Sequence, residues 1–347
     1  MEISLSLLSW FDLNKRDLPF RKNRNPYRIW VSEIMLQQTK VDTVIPYYNN
    51  WIKNYPNIIS VYESSESNLL KSWEGLGYYS RCRNFHKAVK IVFEKYNGEI
   101  PDSWECFRSL PGVGDYTAGA VLSIAFKKPF IALDGNVKRV MARLLGRKKL
   151  SKYNIQRFTS VLNRWLDHNR PGDFNEAMME LGACICLPSA PMCYKCPISK
   201  FCAAYKNGSP FSYPEKGKAK RTPLYTFVAC LIKEKNKILI QKRGGKMLNG
   251  LWEIPNKHVN NINHMKEELK NYINGEYGFD IKLGKQLGTI SHSYSHFKMK
   301  LILLECKKIG RIKKYNQTYS WIKKSEISNY AFHKVNHKIF SLIKDDI

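Results

Sequence analysis

Acidic residues are scarce in this sequence: 29 Asp and Glu stand against 57 Lys and Arg, which leaves a net charge of +28 over 347 residues. Long apolar runs are absent as well, so we expect no membrane-spanning helix. The N-terminus lacks both a basic segment and a small-residue cleavage site, and a signal peptide is therefore not expected. The positive charge indicates a polyanionic partner such as nucleic acid, although the Lys-, Asn- and Ile-rich composition of an AT-biased genome would also produce it.

Cysteine is sparse outside one segment, since five of the nine cysteines lie between Cys184 and Cys202. This distribution is unlike a disulfide framework and predicts a reducing, cytoplasmic compartment. Cys186, Cys193, Cys196 and Cys202 are spaced C-x6-C-x2-C-x5-C. Four such thiolates can enclose one [4Fe-4S] cluster, because each iron takes one sulfur ligand. The alternative is a structural tetrathiolate zinc site, which usually brings two C-x2-C pairs.

The length and patterning of the chain predict two domains. Apolar residues recur at three- and four-residue spacing as far as residue 205, which predicts an all-α domain over residues 1–205. A segment rich in Gly, Pro, Ser and Lys predicts a linker over 206–224. The remaining residues, 225–347, carry β-rich runs and one helical pattern, which predict an α+β domain. The predicted strands are 225–231, 237–241 and 298–305, and the predicted helix is 263–273.

The stretch Leu110-Pro-Gly-Val-Gly-Asp-Tyr-Thr-Ala-Gly119 joins two helical patterns through a turn that contains glycine. Gly112, Val113 and Gly114 would present backbone N–H groups at a helix N-terminus, where the helix dipole favours an anion such as a DNA phosphate. The pattern therefore predicts a DNA-binding helix-hairpin-helix. The alternative is a simple turn between two helices.

Glu33 lies in a segment where helical spacing places Ile29, Trp30 and Leu36 on its own face. A carboxyl group on such a face is partly desolvated, and desolvation raises its pKa toward the value that a general acid needs near neutral pH. The alternatives are a surface residue beside Lys40 and a buried structural carboxylate with a partner.

Asp134 directly precedes a helical pattern formed by Val137, Val140, Met141 and Leu144. The default role of an aspartate at this place is that of a helix N-cap. An ionised carboxylate there could also stabilise positive charge that develops on a sugar. The two roles are compatible with each other.

Five motifs resemble those of the MutY-type adenine DNA glycosylases, occur in the same order as in that family and span nearly all of residues 10–205. Besides the hairpin and the cysteine segment they are Ser32-Glu-Ile-Met-Leu-Gln-Gln-Thr39, Gly75-Leu-Gly-Tyr-Tyr-Ser-Arg81 and Leu133-Asp-Gly-Asn-Val-Lys-Arg139. The C-terminal part resembles the Nudix-like recognition domain of that family through Gly250-Leu-Trp-Glu-Ile-Pro255 and Ser291-His-Ser-Tyr-Ser-His296. The resemblance implies an all-α helix-hairpin-helix glycosylase domain with a [4Fe-4S] cluster loop at 186–202, followed by an α+β Nudix-like C-terminal domain.

The resemblance also implies a base-excision enzyme that hydrolyses the N-glycosidic bond of adenine mispaired with 8-oxoguanine or guanine. Its partner would be double-stranded DNA containing A·8-oxoguanine or A·G mispairs, and the protein would act as a monomer, associated with the nucleoid. Glu33 would protonate N7 of the flipped adenine, and Asp134 would stabilise the oxocarbenium-like sugar. Asn136 and Glu176 are candidates to order these carboxyl groups.

Tyr116 separates two related activities. Glycosylases of the endonuclease III type, which also cleave the DNA backbone, carry a lysine at this place in the hairpin, and its amine forms the Schiff base of lyase chemistry. A phenol cannot form an imine, so the resemblance implies a monofunctional glycosylase with Tyr116 close to the flipped nucleotide.

Four further residues match family positions that contact DNA. Gln38 and Tyr78 would enter the duplex beside the lesion, since an aromatic ring after flexible glycines can stack on bases. Ser295 and His296 would contact 8-oxoguanine. From the residues alone, the alternative for Tyr78 and Tyr79 is that they are core aromatics, and a Ser-His pair is more often a loop or strand fragment.

The sequence departs from the family at two places. Phe20 stands where the family typically has tryptophan, which we expect to preserve packing. The region 257–278 offers Glu267 and Glu268 but no array of carboxylates that would hold magnesium as in a Nudix hydrolase, so pyrophosphatase activity is not expected. Two other functions remain open: an endonuclease III-like glycosylase with lyase activity, and a DNA-binding iron-sulfur protein without catalysis.

Overall fold

The computed structural model describes residues 2–215, 217, 221–245, 247–310 and 318–344. These residues form two units, the first comprising Met1–Glu63 and Asn84–Lys218, the second Ser64–Arg83 and Ala219–Ile347. The grouping of residues 64–83 with the C-terminal part was not expected from the sequence. The predicted domain boundaries at 205 and 225 stay predictions, and residues 216 and 218–220 of the predicted linker lie outside the described residues.

Helices dominate the first 206 residues, as the three- and four-residue spacing predicts. None of the helices among the described residues has the length and apolarity needed to cross a membrane. In chain order the helices are α1 (Glu2–Asn14), α2 (Pro26–Leu36), α3 (Val41–Asn54), α4 (Ile58–Tyr62), α5 (Glu66–Ser72), α6 (Ser80–Tyr96), α7 (Trp104–Arg108), α8 (Asp115–Phe126), α9 (Gly135–Leu144), α10 (Lys152–Trp165), α11 (Pro171–Glu180), α12 (Ala203–Lys206), α13 (Met265–Tyr277) and α14 (Lys334–Leu342).

Local sequence explains where the helix that carries Glu33 begins. The side chain of Asn25 accepts the N–H of Arg28 at 3.2 Å, and Pro26 occupies the first helical position. Both residues are favoured at these places, because the cap satisfies an orphan amide and proline has no amide to satisfy. The start of α2 is therefore fixed by the sequence, and with it the face on which Glu33 lies.

One core of the first unit lies between α1, α9, α10 and α11. Its most buried large side chains are at most 1% exposed: Phe11, Met141, Phe158, Phe174 and Leu181. Leu181 opens a π-helix, Leu181–Ile185, that continues α11. The prediction of an all-α N-terminal domain is confirmed.

The second unit contains a seven-stranded sheet built from the described strands. These are β1 (Leu224–Glu234), β2 (Lys237–Lys242), β3 (Trp252–Glu253), β4 (Asn256–Val259), β5 (Asp280–Ser293), β6 (Lys298–Ile309) and β7 (Tyr319–Lys323). The order is β3-β2-β1-β6-β5, with β4 paired to β1 and β7 to β2. The pairing of β1 with β6 is parallel, and the other pairings are antiparallel.

Alternation along β1 buries both faces of this sheet. Leu231 belongs to a core that includes Val335 of α14, whereas Cys230 belongs to a second core that includes Ile273 of α13. Because successive side chains of a strand point to opposite faces, the sheet is covered by one helix on each side. The predicted α+β domain is confirmed, and the predicted strands are found in β1, β2 and β6.

Candidate active site

A cavity of about 550 Å³ lies in the first unit between α2, α8, α11 and the start of α9. Glu33, Tyr116, Asp134, Asn136 and Glu176 all line it. The five predicted catalytic residues are therefore brought together in one cavity, although they are separated by up to 143 positions along the chain (176 − 33).

Glu33 is 5% exposed on α2, and the hydroxyl group of Tyr116 donates to its Oε2 at 2.5 Å. Burial raises the pKa of Glu33 to about 7; the negative charges of Glu176 and Asp134 add to this rise, and the hydrogen bond from Tyr116 opposes it. The carboxyl group thus exchanges its proton near neutral pH, as general acid catalysis requires. The sequence-based expectation of a partly desolvated carboxyl is exceeded, since the side chain is almost fully buried.

Asp134 is the N-cap of α9, as expected from the sequence. Its Oδ1 accepts the N–H of Val137 at 2.6 Å. Burial raises the pKa of Asp134, although hydrogen bonds from the backbone of Val137 and Asn136, and from the side chain of Asn136, oppose the rise. The cap also aims the carboxyl group into the cavity that Glu33 lines. Cap and cavity wall are thus combined in one residue.

A close backbone approach places Asp134 near α8. A Cβ atom on Gly119 would lie 2.1 Å from the carbonyl oxygen of Ile131, so only glycine lets the chain before Asp134 pass this close to the helix. Tyr116 lies one turn earlier on α8. The glycine at the end of the hairpin motif therefore has a positioning consequence that the sequence analysis did not assign.

Glu176 is held by arginines that the sequence analysis missed. Arg21 Nε and Arg24 Nη1 donate to its two carboxyl oxygens at 3.1 and 2.5 Å. Arg21 and Arg16 also donate hydrogen bonds to Glu180. Burial raises the pKa of Glu180, but these hydrogen bonds outweigh burial and lower the pKa to about 2. The cations at this end of the cavity are therefore engaged with Glu176 and Glu180.

Phe20 packs near this network. It is 7% exposed and meets the ring of Tyr48 edge-on, with the ring centroids 5.7 Å apart. An aromatic packing role is thus retained at the position where the family typically has tryptophan.

Lys138 lines the same cavity, four residues after Asp134. Lys138 was not among the residues expected from the sequence to line the site. The spacing could have indicated it, because residues four apart on a helix share a face.

The hairpin turn joins α7 to α8. Gly112 has a φ of +79°, a conformation that glycine adopts without strain, and Gly114 is the N-cap of α8. Both glycines line the cavity. Val113 is 4% exposed, and its N–H donates to the carbonyl of Leu110 at 3.1 Å, so its amide closes the turn. The predicted turn between two helices is present, and its binding to a DNA phosphate stays a prediction. The expectation that Val113 presents its N–H to a phosphate does not match the structure, because this N–H is bonded within the turn.

Gln38 and Tyr78, the two predicted duplex-entering residues, share an unusual backbone state. Gln38 is exposed with φ of +56°, and Tyr78 is 43% exposed with φ of +47°. The left-handed conformation costs a residue with a side chain roughly 1–2 kcal/mol, and such strain collects at functional positions. Tyr79, by contrast, is 5% exposed. The core alternative therefore holds for Tyr79 and not for Tyr78.

Tyr78 belongs to the second unit, where it lines a cavity of about 490 Å³ with Ser295 and His296. Ser295 and His296 lie between β5 and β6, and their Oγ and Nδ1 atoms are 3.2 Å apart. The structure thus joins three predicted DNA-contacting residues that the sequence left unconnected.

A second polar cluster of this unit surrounds Glu253, which the sequence analysis did not single out. This residue is 3% exposed; His333 Nε2 lies 3.1 Å from its carboxylate, Gln241 donates to it at 2.8 Å, and Arg243 forms an ion pair with it. Burial raises the pKa of Glu253, but His333 and Arg243 outweigh burial and lower this pKa to about 2. The group is a compensated anion. Glu267, one of the acidic residues between 257 and 278, is exposed on α13.

The predicted cluster ligands Cys186, Cys193, Cys196 and Cys202 line one small cavity of the first unit. Arg143, which is 2% exposed, lines the same cavity and donates to Cys186 Sγ at a distance of 3.1 Å. Within the described part of the chain, no group of three or more His, Cys, Asp or Glu side chains is arranged to hold a metal ion.

Both parts of the chain match known protein families. The model of the HhH-GPD superfamily of base excision DNA repair proteins matches residues 31–164, and the NUDIX domain model matches residues 227–342. The adenine DNA glycosylase of Buchnera aphidicola subsp. Schizaphis graminum is 37% identical over 309 residues, which cover 85% of each chain.

Two solved glycosylase structures resemble part of the chain. A thermostable thymine-DNA glycosylase matches with a TM-score of 0.55 and 29% identity, covering 59% of this chain and 95% of its own. Endonuclease III in a trapped covalent complex with DNA matches with a TM-score of 0.52 and 25% identity, covering 59% of this chain and 94% of its own.

Proposed function

Because the chain belongs to the adenine DNA glycosylase family, we propose that it removes adenine paired with 8-oxoguanine or guanine from duplex DNA. The observation that carries this proposal is the buried carboxyl group of Glu33, 2.5 Å from the Tyr116 hydroxyl in a cavity that Asp134 also lines. Adenine would leave the base stack at a cost of a few kcal/mol and enter this cavity.

Glu33 is proposed as the general acid that protonates adenine at N7. With a pKa raised to about 7, roughly half of the Glu33 carboxyl groups carry a proton at neutral pH. Protonation makes adenine a neutral leaving group, and the departing base leaves an oxocarbenium-like deoxyribose. The Glu33 carboxylate that results can then take a proton from the attacking water.

Asp134 is proposed to stabilise the positive charge on the sugar. Its carboxyl group is held in place by the N–H of Val137, so it need not reorganise as charge develops. Asn136 and Glu176 would order this part of the cavity: Asn136 bonds to Asp134, and Glu176 binds Arg21 and Arg24.

The absence of a lysine at position 116 supports a monofunctional glycosylase. Lyase activity is the second candidate, since Lys138 lines the cavity and a deprotonated amine there is the type of group that forms a Schiff base. Strand scission, and its dependence on Lys138, separates these two functions.

Cys186, Cys193, Cys196 and Cys202 are proposed to hold a [4Fe-4S] cluster. Four thiols around one cavity would supply one thiolate for each iron of the cube, and their C-x6-C-x2-C-x5-C spacing lacks the two C-x2-C pairs that are usual for zinc. The buried guanidinium of Arg143 would compensate the negative charge of the thiolates. When bound, the cluster would cross-link the 186–202 loop. Assays of iron and sulfide should give roughly four of each per chain.

The second unit is proposed to read the base opposite the adenine. Tyr78, Ser295 and His296 line one cavity, which offers an aromatic face beside hydrogen-bonding groups. We propose duplex DNA with an A·8-oxoguanine or A·G mispair as the partner, bound by the protein as a monomer.

A single-turnover assay tests the proposal. Protein in excess over a duplex with one A·8-oxoguanine pair should release adenine, with strand breaks appearing only after treatment with hot alkali. Scission that keeps pace with base release, and that is lost in Lys138→Ala, would establish the lyase instead. Binding without adenine release would contradict catalysis.

A further inference from the structure

The segment that carries Tyr78 is tied to the C-terminal part of the second unit by one carboxylate. Glu74 Oε1 accepts the backbone N–H of Phe332 at 2.7 Å, and His337 Nε2 donates to the same oxygen at 2.9 Å. Its Oε2 forms an ion pair with Lys71, whose ammonium group also donates to the carbonyl of Tyr330 at 3.0 Å. We call these five residues the Glu74 clamp. It joins two segments about 260 positions apart in sequence (332 − 74 = 258).

Residues 64–83 also contact a third segment of the second unit. Arg83 Nη1 donates to the carbonyl of Asn249 at 2.6 Å, and a Cβ atom on Gly250 would lie 3.2 Å from Leu70 Cδ1. The clamp adds charged groups to the packing of residues 64–83 within this unit. Glu74 is largely buried, with a side chain 13% exposed, and these hydrogen bonds lower its pKa although burial raises it. An ionised, largely buried acceptor makes stronger hydrogen bonds than a neutral group.

The clamp leads directly into the loop of Tyr78. Glu74 is followed by Gly75-Leu-Gly-Tyr78, and this loop is held by Trp73, whose Nε1 donates to the carbonyl of Gly77 at 3.1 Å. The N–H of Gly75 donates to the hydroxyl of Tyr79 at 3.0 Å. A displacement of Glu74 is therefore passed to the backbone of Tyr78, which is already in the left-handed conformation.

On the other side, the clamp fixes the wall of the cavity that Tyr78 shares with Ser295 and His296. Phe332 is followed by His333 and Lys334, and both line that cavity. Glu74 is thus hydrogen-bonded to the segment that carries His333 and Lys334, and it directly precedes the loop that carries Tyr78. Because rigid placement within a fraction of an ångström decides how well a site discriminates, such a residue controls specificity without touching the base.

We propose that Glu74 is a positioning residue that sets the preference for 8-oxoguanine over guanine by fixing Tyr78 relative to Ser295 and His296. This inference rests on the proposed function, since it concerns the base opposite the excised adenine. It assigns discrimination to the clamp and leaves the chemistry in the Glu33 cavity unchanged.

The test compares Glu74→Ala, Glu74→Gln and His337→Ala with the unaltered protein, using Glu234→Gln as the matched control. Glu234 forms an ion pair with Lys308 at 2.6 Å in the same unit but outside the clamp. Single-turnover adenine release is measured on A·8-oxoguanine and A·G duplexes. We expect Glu74→Ala to lower the ratio of the A·8-oxoguanine rate to the A·G rate about tenfold, mainly by slowing release from the 8-oxoguanine duplex. Glu74→Gln should restore part of this ratio, because its amide oxygen can still accept the N–H of Phe332.

A double-mutant cycle distinguishes positioning from general destabilisation. In a Ser295→Ala background, Glu74→Ala should lower the rate ratio little further, because both changes weaken the same proposed contact with 8-oxoguanine. Hydrogen exchange of the Phe332 amide should accelerate in Glu74→Ala and not in Glu234→Gln. Equal loss of rate on both duplexes, or faster exchange with an unchanged rate ratio, would overturn the proposal.

Failure of the proposed function gives a different result. If the unaltered protein releases no adenine, we would measure its affinity instead of the rate. The two duplexes would carry 8-oxoguanine or guanine opposite a tetrahydrofuran abasic analogue, and the affinity ratio compares them. A tenfold fall in that affinity ratio in Glu74→Ala would still support the clamp, and an unchanged ratio would refute it.

Discussion

Two buried glutamates, one in each unit, have opposite protonation behaviour. Glu33 is 5% exposed and Glu253 is 3% exposed, yet the pKa is raised to about 7 for Glu33 and lowered to about 2 for Glu253. Glu33 faces the neutral phenol of Tyr116, whereas Glu253 faces the guanidinium of Arg243 and the imidazole of His333. Burial alone therefore does not decide the charge, because the partners of each carboxyl group do.

In the first unit, the arginines that line the Glu33 cavity bond to other carboxylates. Arg21 bonds to Glu176 and Glu180, and its charge lowers the pKa of Glu33 by less than burial raises it. An acid that must exchange a proton near pH 7 needs this lack of compensation. Glu253, with its charge compensated, suits a structural role in the sheet.

The largest effect should follow removal of the cation from the compensated pair. Arg243→Met would leave the Glu253 carboxylate buried without its guanidinium partner, and we expect the free energy of unfolding to fall by about 3–5 kcal/mol. Urea denaturation measures this loss. The double variant Arg243→Met/Glu253→Gln should recover more than half of it; no recovery would mean that the loss comes from packing.

Asp134→Asn separates the cap from the charge. Asparagine caps a helix about as well as aspartate, so α9 should keep its start and the thermal stability should change little. The rate of adenine release should fall about 10²- to 10³-fold, because the fixed charge that faces the sugar cation is lost. Single-turnover kinetics measure the rate, and a rate within threefold of the unaltered protein would restrict Asp134 to capping.

Stability should depend on pH through Glu33. Its pKa is about 7 in the folded chain against 4.5 ordinarily, so the folded state holds the proton more tightly. This stabilisation is complete below pH 4.5 and is lost as the pH rises through 7. The stability of Glu33→Gln relative to the unaltered protein should rise by about 3 kcal/mol between pH 4 and pH 8.

The matched control for that titration is Glu94→Gln, on an exposed part of α6. Chemical denaturation at a series of pH values should show no comparable pH-dependent difference for this variant. If Glu33→Gln and Glu94→Gln behaved alike, the raised pKa of Glu33 would be refuted.

The smallest effect is expected from Tyr116→Phe. The Tyr116 hydrogen bond favours the ionised form of Glu33, so its loss should raise the pKa of Glu33 by about 1 unit. The alkaline limb of the kcat–pH profile should move upward by the same amount. Tyr153→Phe, whose ring is 66% exposed, is the control. An unmoved or lowered limb would show that Tyr116 does not tune Glu33.

Local patterns predicted the features that depend on nearby residues. Asp134 was recognisable as a cap, and the β-rich runs marked three strands. These features follow from capping, spacing and alternation within a few residues. Strand β5 was missed because few of its residues are buried, Ile281 and Ile290 among them, so it shows little apolar alternation.

Long-range partnership could not be predicted in the same way. Nothing near Glu253 in sequence indicates His333, and nothing near Glu74 indicates Phe332 or His337, because these partners meet only in the folded chain. The arginines around Glu176 were missed for the same reason.

The central claim is that Glu33 protonates the departing adenine. The most direct measurement is single-turnover adenine release from an A·8-oxoguanine duplex by Glu33→Gln at pH 7, with DNA affinity measured in parallel. The account predicts a rate lower by about 10²- to 10⁴-fold, as for loss of a general acid, with affinity nearly unchanged. A rate within about threefold of the unaltered protein would contradict it.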